Sequence, residues 1–376
     1  MTDDHPWQRH LRPALRGLRP YPVDLRPARA RLHANECPEP WPPEVLDELA
    51  ALVRGLQLGR YPDLAPERLR RVLAARHGCD PARVVLGDGS DEVIAILLTA
   101  LAGPPGRPSA VLVPAPTFSM YAQSARALGL DVAQVLLTPD LDLDPLATRA
   151  ALRDHAPALC FLARPNNPTS SLWDAGLILD LIAEHPATVF VVDEAYIDYA
   201  PGASLWAPDR PANFVLMGTL SKVGLAALRV GYCVAHPALA AVLDAVRHPY
   251  NIPEPSAVLA EAALTRFGAA QRAMIDRTLA SRDRLVRLLA ALPRAHVFPA
   301  HANLVVARLD PPGLAPRLTR ALADRGVLIK DVSALPRLAG CVRVSVGAAA
   351  ELDLLEAALA ELRPELWPPA LMTEPP

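Results

Sequence analysis

Thr188-Val189-Phe190-Val191-Val192-Asp193-Glu194-Ala195-Tyr196 is the stretch on which the fold turns. Four successive β-branched or aromatic residues leave the strand no polar face, as a strand needs when helices cover both sides of its sheet. A carboxylate follows at Asp193, at the carboxyl end of the strand, where open α/β sheets bind their ligands. Buried there, it needs a cationic partner; taken alone, it also reads as a helix cap or a surface acid.

Working outward, short β-branched runs at 84–86, 110–113, 158–162, 214–217 and 230–234 alternate with helical stretches at 91–101, 117–128 and 175–184. Pro66 opens a further helix in which Leu69, Val72 and Leu73 share a face, and Gly78 ends it. Strands alternating with crossover helices predict an α/β fold with a mostly parallel sheet. After about residue 250 the rhythm changes to long helical sequence, a strand at 304–309, a helix at 314–325 and strands near 327–329 and 342–346. That change predicts a smaller α+β domain. The expected division is an N-terminal arm (1–57) partly joining the small domain, a large domain (58–249), the small domain (250–362) and a proline-rich tail (363–376).

Composition narrows the class of function. The chain has 376 residues, 51% apolar and 21% charged, with a formal net charge of −2, so no basic surface points to nucleic acid or anionic lipid. A small soluble substrate fits better. The most apolar run, 93–102, is about half as long as a membrane-spanning helix and reads as a buried core helix. Cys37, Cys79, Cys160, Cys233 and Cys341 are odd in number and form no CxxC pair, as expected of reduced thiols in a cytosolic protein without a metal framework. Met1-Thr2-Asp3-Asp4-His5-Pro6 lacks the basic-then-apolar order of an export signal, which again leads to a cytoplasmic expectation.

Three further segments carry chemistry. Ala163-Arg164-Pro165-Asn166-Asn167-Pro168-Thr169 follows a buried strand, and its prolines fix a loop that aims amide side chains at the same sheet edge as Asp193, although an ordinary Pro-Asn turn reads the same way. Gly87-Asp88-Gly89-Ser90-Asp91-Glu92 joins a strand to an apolar helix, whose free N–H groups make an anion site; capping by Ser90 or Asp91 is compatible with that role. It is neither a GxGxxG nor a Walker loop, against a dinucleotide or a nucleoside triphosphate. Thr219-Leu220-Ser221-Lys222 follows the strand at 214–217, and Arg229 comes seven residues after Lys222. Burying an unpaired ammonium is costly, and a Schiff-base role removes that cost; a solvated loop lysine is the alternative.

Asn167, Asp193 and Lys222 come in that order, each after a strand expected on one sheet edge. The ordered set resembles the pyridoxal-phosphate (PLP) enzymes of fold type I. The wording of Arg19-Pro20-Tyr21, Leu32-His33-Ala34-Asn35-Glu36, Tyr61-Pro62-Asp63, Gly89-Ser90-Asp91-Glu92 and Pro116-Thr117-Phe118-Ser119-Met120-Tyr121 is similar to that of the histidinol-phosphate aminotransferase family. So is that of Asn166-Asn167-Pro168-Thr169, Asp193-Glu194-Ala195-Tyr196, Thr219-Leu220-Ser221-Lys222 and the segment from Gly340 to Gly347, so the resemblance spans nearly the whole chain. Three departures stand out. Ser170 occupies the place of a usual glycine, Lys222 to Arg229 is one residue tighter than in many relatives, and Lys330 stands where many relatives place an arginine.

The resemblance implies a PLP-dependent transaminase in which Lys222 holds the cofactor as a Schiff base and moves the substrate proton, and Asp193 keeps the pyridine nitrogen protonated. Tyr196 and Asn167 would bond the ring's phenolate oxygen and Phe118 would stack on its face. Ser90, Asp91, Thr219, Ser221 and Arg229 would hold the phosphate, joined by Tyr61 from a second subunit of a homodimer. Tyr21, Asn35, Lys330 and Arg343 would meet the substrates: histidinol phosphate or imidazole-acetol phosphate, glutamate and 2-oxoglutarate. Related readings are a threonine-phosphate decarboxylase and an aromatic amino acid aminotransferase. A PLP-sensing transcription regulator would need a DNA-binding module, for which about 20 residues before the first motif leave no room.

Overall fold

The computed structural model describes residues 5–12, 15, 24, 26–103 and 109–368. A short strand, β1 (Ala30–Arg31), precedes helices α1 (Pro43–Arg54) and α2 (Glu67–Arg76). The large sheet is then laid down by β2 (Val84–Asp88), β3 (Ala110–Ala115), β4 (Asp131–Leu136), β5 (Leu159–Ala163), β6 (Val189–Asp193), β7 (Phe214–Thr219) and β8 (Val230–Val234). Between them run α3 (Gly89–Ala100), α4 (Ser119–Ala127), α5 (Pro145–His155) and α6 (Ala175–Glu184).

The strand order is β2-β8-β7-β6-β5-β3-β4, with β8 antiparallel to both neighbours and the other pairs parallel. The sheet is mostly parallel, as the apolar runs require. Phe190, Val191 and Val192 are all 0% exposed, and alternate residues feed opposite layers. Phe190 and Val192 pack with Leu69 and Leu73 of α2, Leu152 of α5 and Ile178 and Leu181 of α6. Val191 packs instead with Ile94 and Leu97 of α3 and with Tyr121 of α4. Each such buried side chain contributes about 1.5–3 kcal/mol.

Local signals place the ends. The Asp174 carboxylate accepts from Leu177 N–H at 2.7 Å and starts α6, and Asp144 does the same for α5. Gly78, at φ +59°, closes α2 in a conformation that glycine adopts without strain. Four of these elements, β1, α1, β4 and α5, are not among those expected from sequence. The sequence 131–136 has only Val135 buried, so this edge strand lacks the continuous apolar run of its neighbours.

After β8 come α7 (Pro237–Val246), α8 (Glu254–Thr265), α9 (Gly268–Ala290), β9 (Ala295–Val297), β10 (Leu304–Leu309) and α10 (Leu314–Ala323). The chain then continues through β11 (Val327–Leu328), β12 (Lys330–Asp331), β13 (Cys341–Ser345) and α11 (Ala349–Leu366). The second sheet has the order β12-β13-β10-β9 and is antiparallel throughout, while β11 pairs in parallel with β1. Its core joins Val305, Ala307, Val342 and Val344 to Leu318, Leu322, Leu355 and Leu359. Helix α11 carries Pro364 inside it and delivers a buried Trp367, so packed chain extends past the residue at which the proline-rich stretch begins.

Candidate functional site

Parallel register aligns Ala163 with Asp193 and Asp193 with Met217, so β5, β6 and β7 end at one edge of the large sheet. The loops leaving that edge bring Asn167, Asp193 and Lys222 to the wall of one cavity of about 900 Å³. Ser90, Asp91, Phe118, Tyr196, Thr219, Ser221 and Arg229 line it too, as do Asn35, Lys330 and Arg343 on the opposite side.

Asp193 is buried at the cavity floor, and its two oxygens have separate donors. Tyr121 O–H donates to Oδ2 and Ala195 N–H donates to Oδ1 at 2.9 Å. Burial nevertheless pushes its carboxyl up to about 6, against the lowering effect of the Tyr121 and Ala195 hydrogen bonds and the Lys222 charge. A carboxylate so placed favours a further cationic neighbour. Tyr121 lies parallel to Phe161 at 4.6 Å and edge-on to Phe118 at 5.5 Å, so its ring is fixed as well as its hydroxyl.

The irregular turn Ser221–Leu225 after β7 carries Lys222, whose Nζ lies 5.7 Å from the centre of the Tyr196 ring. Tyr199 O–H donates to the Lys222 carbonyl at 2.6 Å and holds the turn from behind. Gly224 sits at φ +89° with Met274 and Trp41 close by, so a side chain there would strain the turn. Beside it a polar cup forms. The Thr219 and Ser221 hydroxyls lie 3.0 Å apart, and Arg229 Nη1 reaches Ser221 Oγ at 3.5 Å. Arg229 also meets Asp91 at 3.3 Å, and its carbonyl accepts from Gly89 N–H at 2.7 Å, which ties the cup to the first turn of α3. A Cβ on Gly231 would come within 2.3 Å of Ser90 N, so that helix end can approach β8 only over a glycine.

The opposite wall comes from distant parts of the chain. Period-two alternation along β13 sends Val342 and Val344 into the second core and turns Arg343 and Ser345 towards the cavity side. Arg343 donates to Asn167 Oδ1 at 2.7 Å and to the His33 carbonyl at 2.6 Å. Asn35 is held by Ser345, whose hydroxyl donates to its Oδ1 at 2.7 Å, and its own amide donates to Tyr196 Oη at 3.3 Å. Lys330 is the cross-strand partner of Arg343, which sets two cations side by side on this wall.

Of the two adjacent asparagines, Asn167 faces the cavity, whereas Asn166 is fully buried and ties Pro116, Thr117 and Thr169 together. Tyr61 is not brought to the cavity within one chain: it is 83% exposed and stacks on Tyr250 at 4.9 Å. Tyr21 lies outside the described residues. Tyr121 has no role among the sequence-based expectations, and Asp24, Arg31, His33, Glu36 and Asp331 of the cavity wall are likewise new as site residues. Tyr121 had one signal, a polar ring on the face of α4 turned to an apolar sheet, where its hydroxyl requires a partner. Among the described residues no group of three or more His, Cys, Asp or Glu side chains could hold a metal ion, and no helix is long and apolar enough to cross a membrane.

The family model for aminotransferase class I and II matches residues 30–362. A histidinol-phosphate aminotransferase of Paracidovorax citrulli is 40% identical, the alignment covering 93% of this chain and 97% of that protein. Histidinol-phosphate aminotransferase 2 of Bordetella bronchiseptica is also 40% identical, over 94% of this chain and 96% of its own. Among solved structures, the histidinol-phosphate aminotransferase of Sinorhizobium meliloti in complex with pyridoxal-5'-phosphate superposes with a TM-score of 0.82 at 27% identity, covering 94% of this chain and 97% of that one. The match spans both sheets and both walls of the cavity, and the chain belongs to the class I and II aminotransferases, within them to the histidinol-phosphate aminotransferase family.

Proposed function

We propose that this chain is a PLP-dependent transaminase that exchanges the amino group between histidinol phosphate and 2-oxoglutarate. One observation carries the reading: a buried carboxylate at Asp193, a hydroxyl-guanidinium cup at Thr219, Ser221 and Arg229, and the Lys222 amine, next to Ser221 in the chain, line one cavity. This donor set fits PLP, which has a ring nitrogen for the carboxylate, a phosphate for the cup and a carbonyl carbon for the amine. When bound, PLP supplies an electron sink for the pair left on the substrate Cα as its proton departs.

The chain's own residues then divide the work. Asp193, its oxygens fixed by Tyr121 and Ala195, stabilises positive charge on the ring nitrogen. Arg229 offers a planar fork to phosphate oxygens, and Ser90 and Asp91 present the first N–H groups of α3 to the same anion. Phe118, Asn167 and Tyr196 line the same cavity, where Phe118 would pack on the ring and Asn167 and Tyr196 would hydrogen-bond its phenolate oxygen. Lys222 Nζ would hold the cofactor's carbonyl carbon and is the amine that would move the substrate Cα proton. Arg343 and Lys330 meet the substrates' anionic groups, which suits their side-by-side register; lysine at 330 attracts phosphate as a point charge without arginine's bidentate fork.

The proposed working form is a cytoplasmic homodimer in which Tyr61 reaches the neighbouring subunit's phosphate cup; Tyr21 joins the substrate side. We also propose the division at residues 57/58 and 249/250; the expected tail boundary at 362/363 moves to the end of α11, because Leu366 and Trp367 pack in the second core. A coupled assay with histidinol phosphate and 2-oxoglutarate tests the function, with threonine phosphate and aromatic amino acids in parallel. Turnover with histidinol phosphate at least tenfold above the other amines is expected; preference for another amine would overturn the substrate assignment. Mixing Lys222→Ala with Tyr61→Ala chains under subunit exchange tests the shared site. Recovered activity is the expected result, because one site of each mixed dimer carries neither lesion.

A further inference from the structure

Ser170 stands in the place of the usual glycine with φ +61°, in the left-handed region that strains a side chain, and it is fully buried. The hydroxyl compensates. Its oxygen accepts from His301 N–H and from Ala302 N–H, each at 2.9 Å, so both lone pairs are engaged by the turn that leads into β10. The next residue, Asn303, is fully buried and donates through Nδ2 to the carbonyls of Asn35 at 3.2 Å and Glu36 at 3.1 Å. On the near side, Ser170 N–H donates to the Asn166 carbonyl at 2.8 Å, inside the loop that bears Asn167.

A glycine would relax the backbone and keep the residue-170 carbonyl, which also accepts from His301 N–H at 3.2 Å, but it would supply no side-chain acceptor and would leave the buried Ala302 N–H without this partner. We propose that Ser170 is a positioning residue for the amine substrate: its hydroxyl ties the Asn167 loop to the 301–303 turn, which in turn holds Asn35 beside Tyr196. The inference rests on the aminotransferase reading, because Asn35 has a substrate-side role only there. It goes further in making the substitution at 170 a functional exchange of backbone freedom for a bridge between the two sheets' surroundings.

The test uses the holoenzyme and two variants. Ser170→Ala keeps the Cβ and loses the hydroxyl; Ser170→Gly also frees the backbone and so separates the bridge from the strain. In both, amide exchange within 33–36 and 301–303 should rise about tenfold, the effect of losing one hydrogen bond to a buried donor. The KM for the amine donor should rise about fivefold, with kcat within about twofold and PLP affinity unchanged. Faster exchange confined to 301–303 with an unaltered KM would overturn the proposal, as would equal losses of kcat and PLP affinity or failure of both variants to fold. Lack of transaminase activity in the unaltered protein would refute the functional reading instead, while the exchange measurement would still report on the bridge.

Discussion

The cavity wall that carries Asp193, Thr219 and Lys222 is the edge of one sheet, whereas the wall that carries Asn35, Lys330 and Arg343 joins segments such as His33 and Arg343, 310 positions apart in the chain. On the first wall, parallel register and apolar strands place each polar group to within a residue, and few contacts beyond the sheet and its covering helices are needed. On the second, placement depends on long-range hydrogen bonds: Arg343 to the His33 carbonyl, Ser345 to Asn35, Asn303 to Asn35 and Glu36. The first wall suits invariant cofactor chemistry. The second suits recognition of two unlike substrates, since side chains held across distant segments adjust without disturbing the sheet.

The sharpest division between the walls comes from Lys222→Ala. Turnover should fall by about 10³-fold or more, because anchor and base are lost together. In the unaltered protein, borohydride should fix the cofactor to the peptide containing Lys222; a label on another lysine would break the assignment of the first wall.

Asp193→Ala should lower kcat by about 10²–10³-fold with a smaller effect on folding, the scale of one preorganised electrostatic contact. Asp193→Asn gives a second reading in protein stripped of cofactor. An ordinary carboxyl titrates near 4, while burial pushes Asp193 up to about 6, so the folded state holds this proton longer than the unfolded chain does. The stability it contributes is full below about pH 4 and is lost as pH rises to about 6. Glu194, pushed up to about 7 by burial, extends the same falling limb. Urea unfolding from pH 4 to 8 should show that limb, and Asp193→Asn should remove its lower part.

Tyr121→Phe should lower kcat by about 10–10²-fold, since one hydrogen bond to a charged group is worth about 1.5–3 kcal/mol and the Ala195 bond remains. Steady-state kinetics with PLP saturation verified would show it, and an unchanged kcat would confine Tyr121 to packing.

The smallest effect belongs to the second wall. Lys330→Ala should raise the KM for the phosphorylated amine about threefold while leaving that for glutamate nearly unchanged, as expected of a partly exposed charge. Equal losses for both substrates would erase the difference between the walls at this position.

What the sequence settled by itself was the first wall. Val189 to Val192 read as a strand buried on both faces, and although Asn167, Asp193 and Lys222 each have an ordinary alternative taken singly, their order after successive strands aligned them on one sheet edge without coordinates. The resemblance supplied Asn35, Lys330 and Arg343 as substrate residues, but no local pattern says that β12 and β13 pair Lys330 with Arg343 or that Arg343 meets Asn167. Such contacts depend on chain closure over hundreds of residues, which leaves no periodicity behind. The same holds for Tyr121 and Ser170. Each reads locally as an ordinary residue in a motif, and only tertiary packing decided that one hydroxyl holds the Asp193 carboxylate and the other the N–H groups of His301 and Ala302.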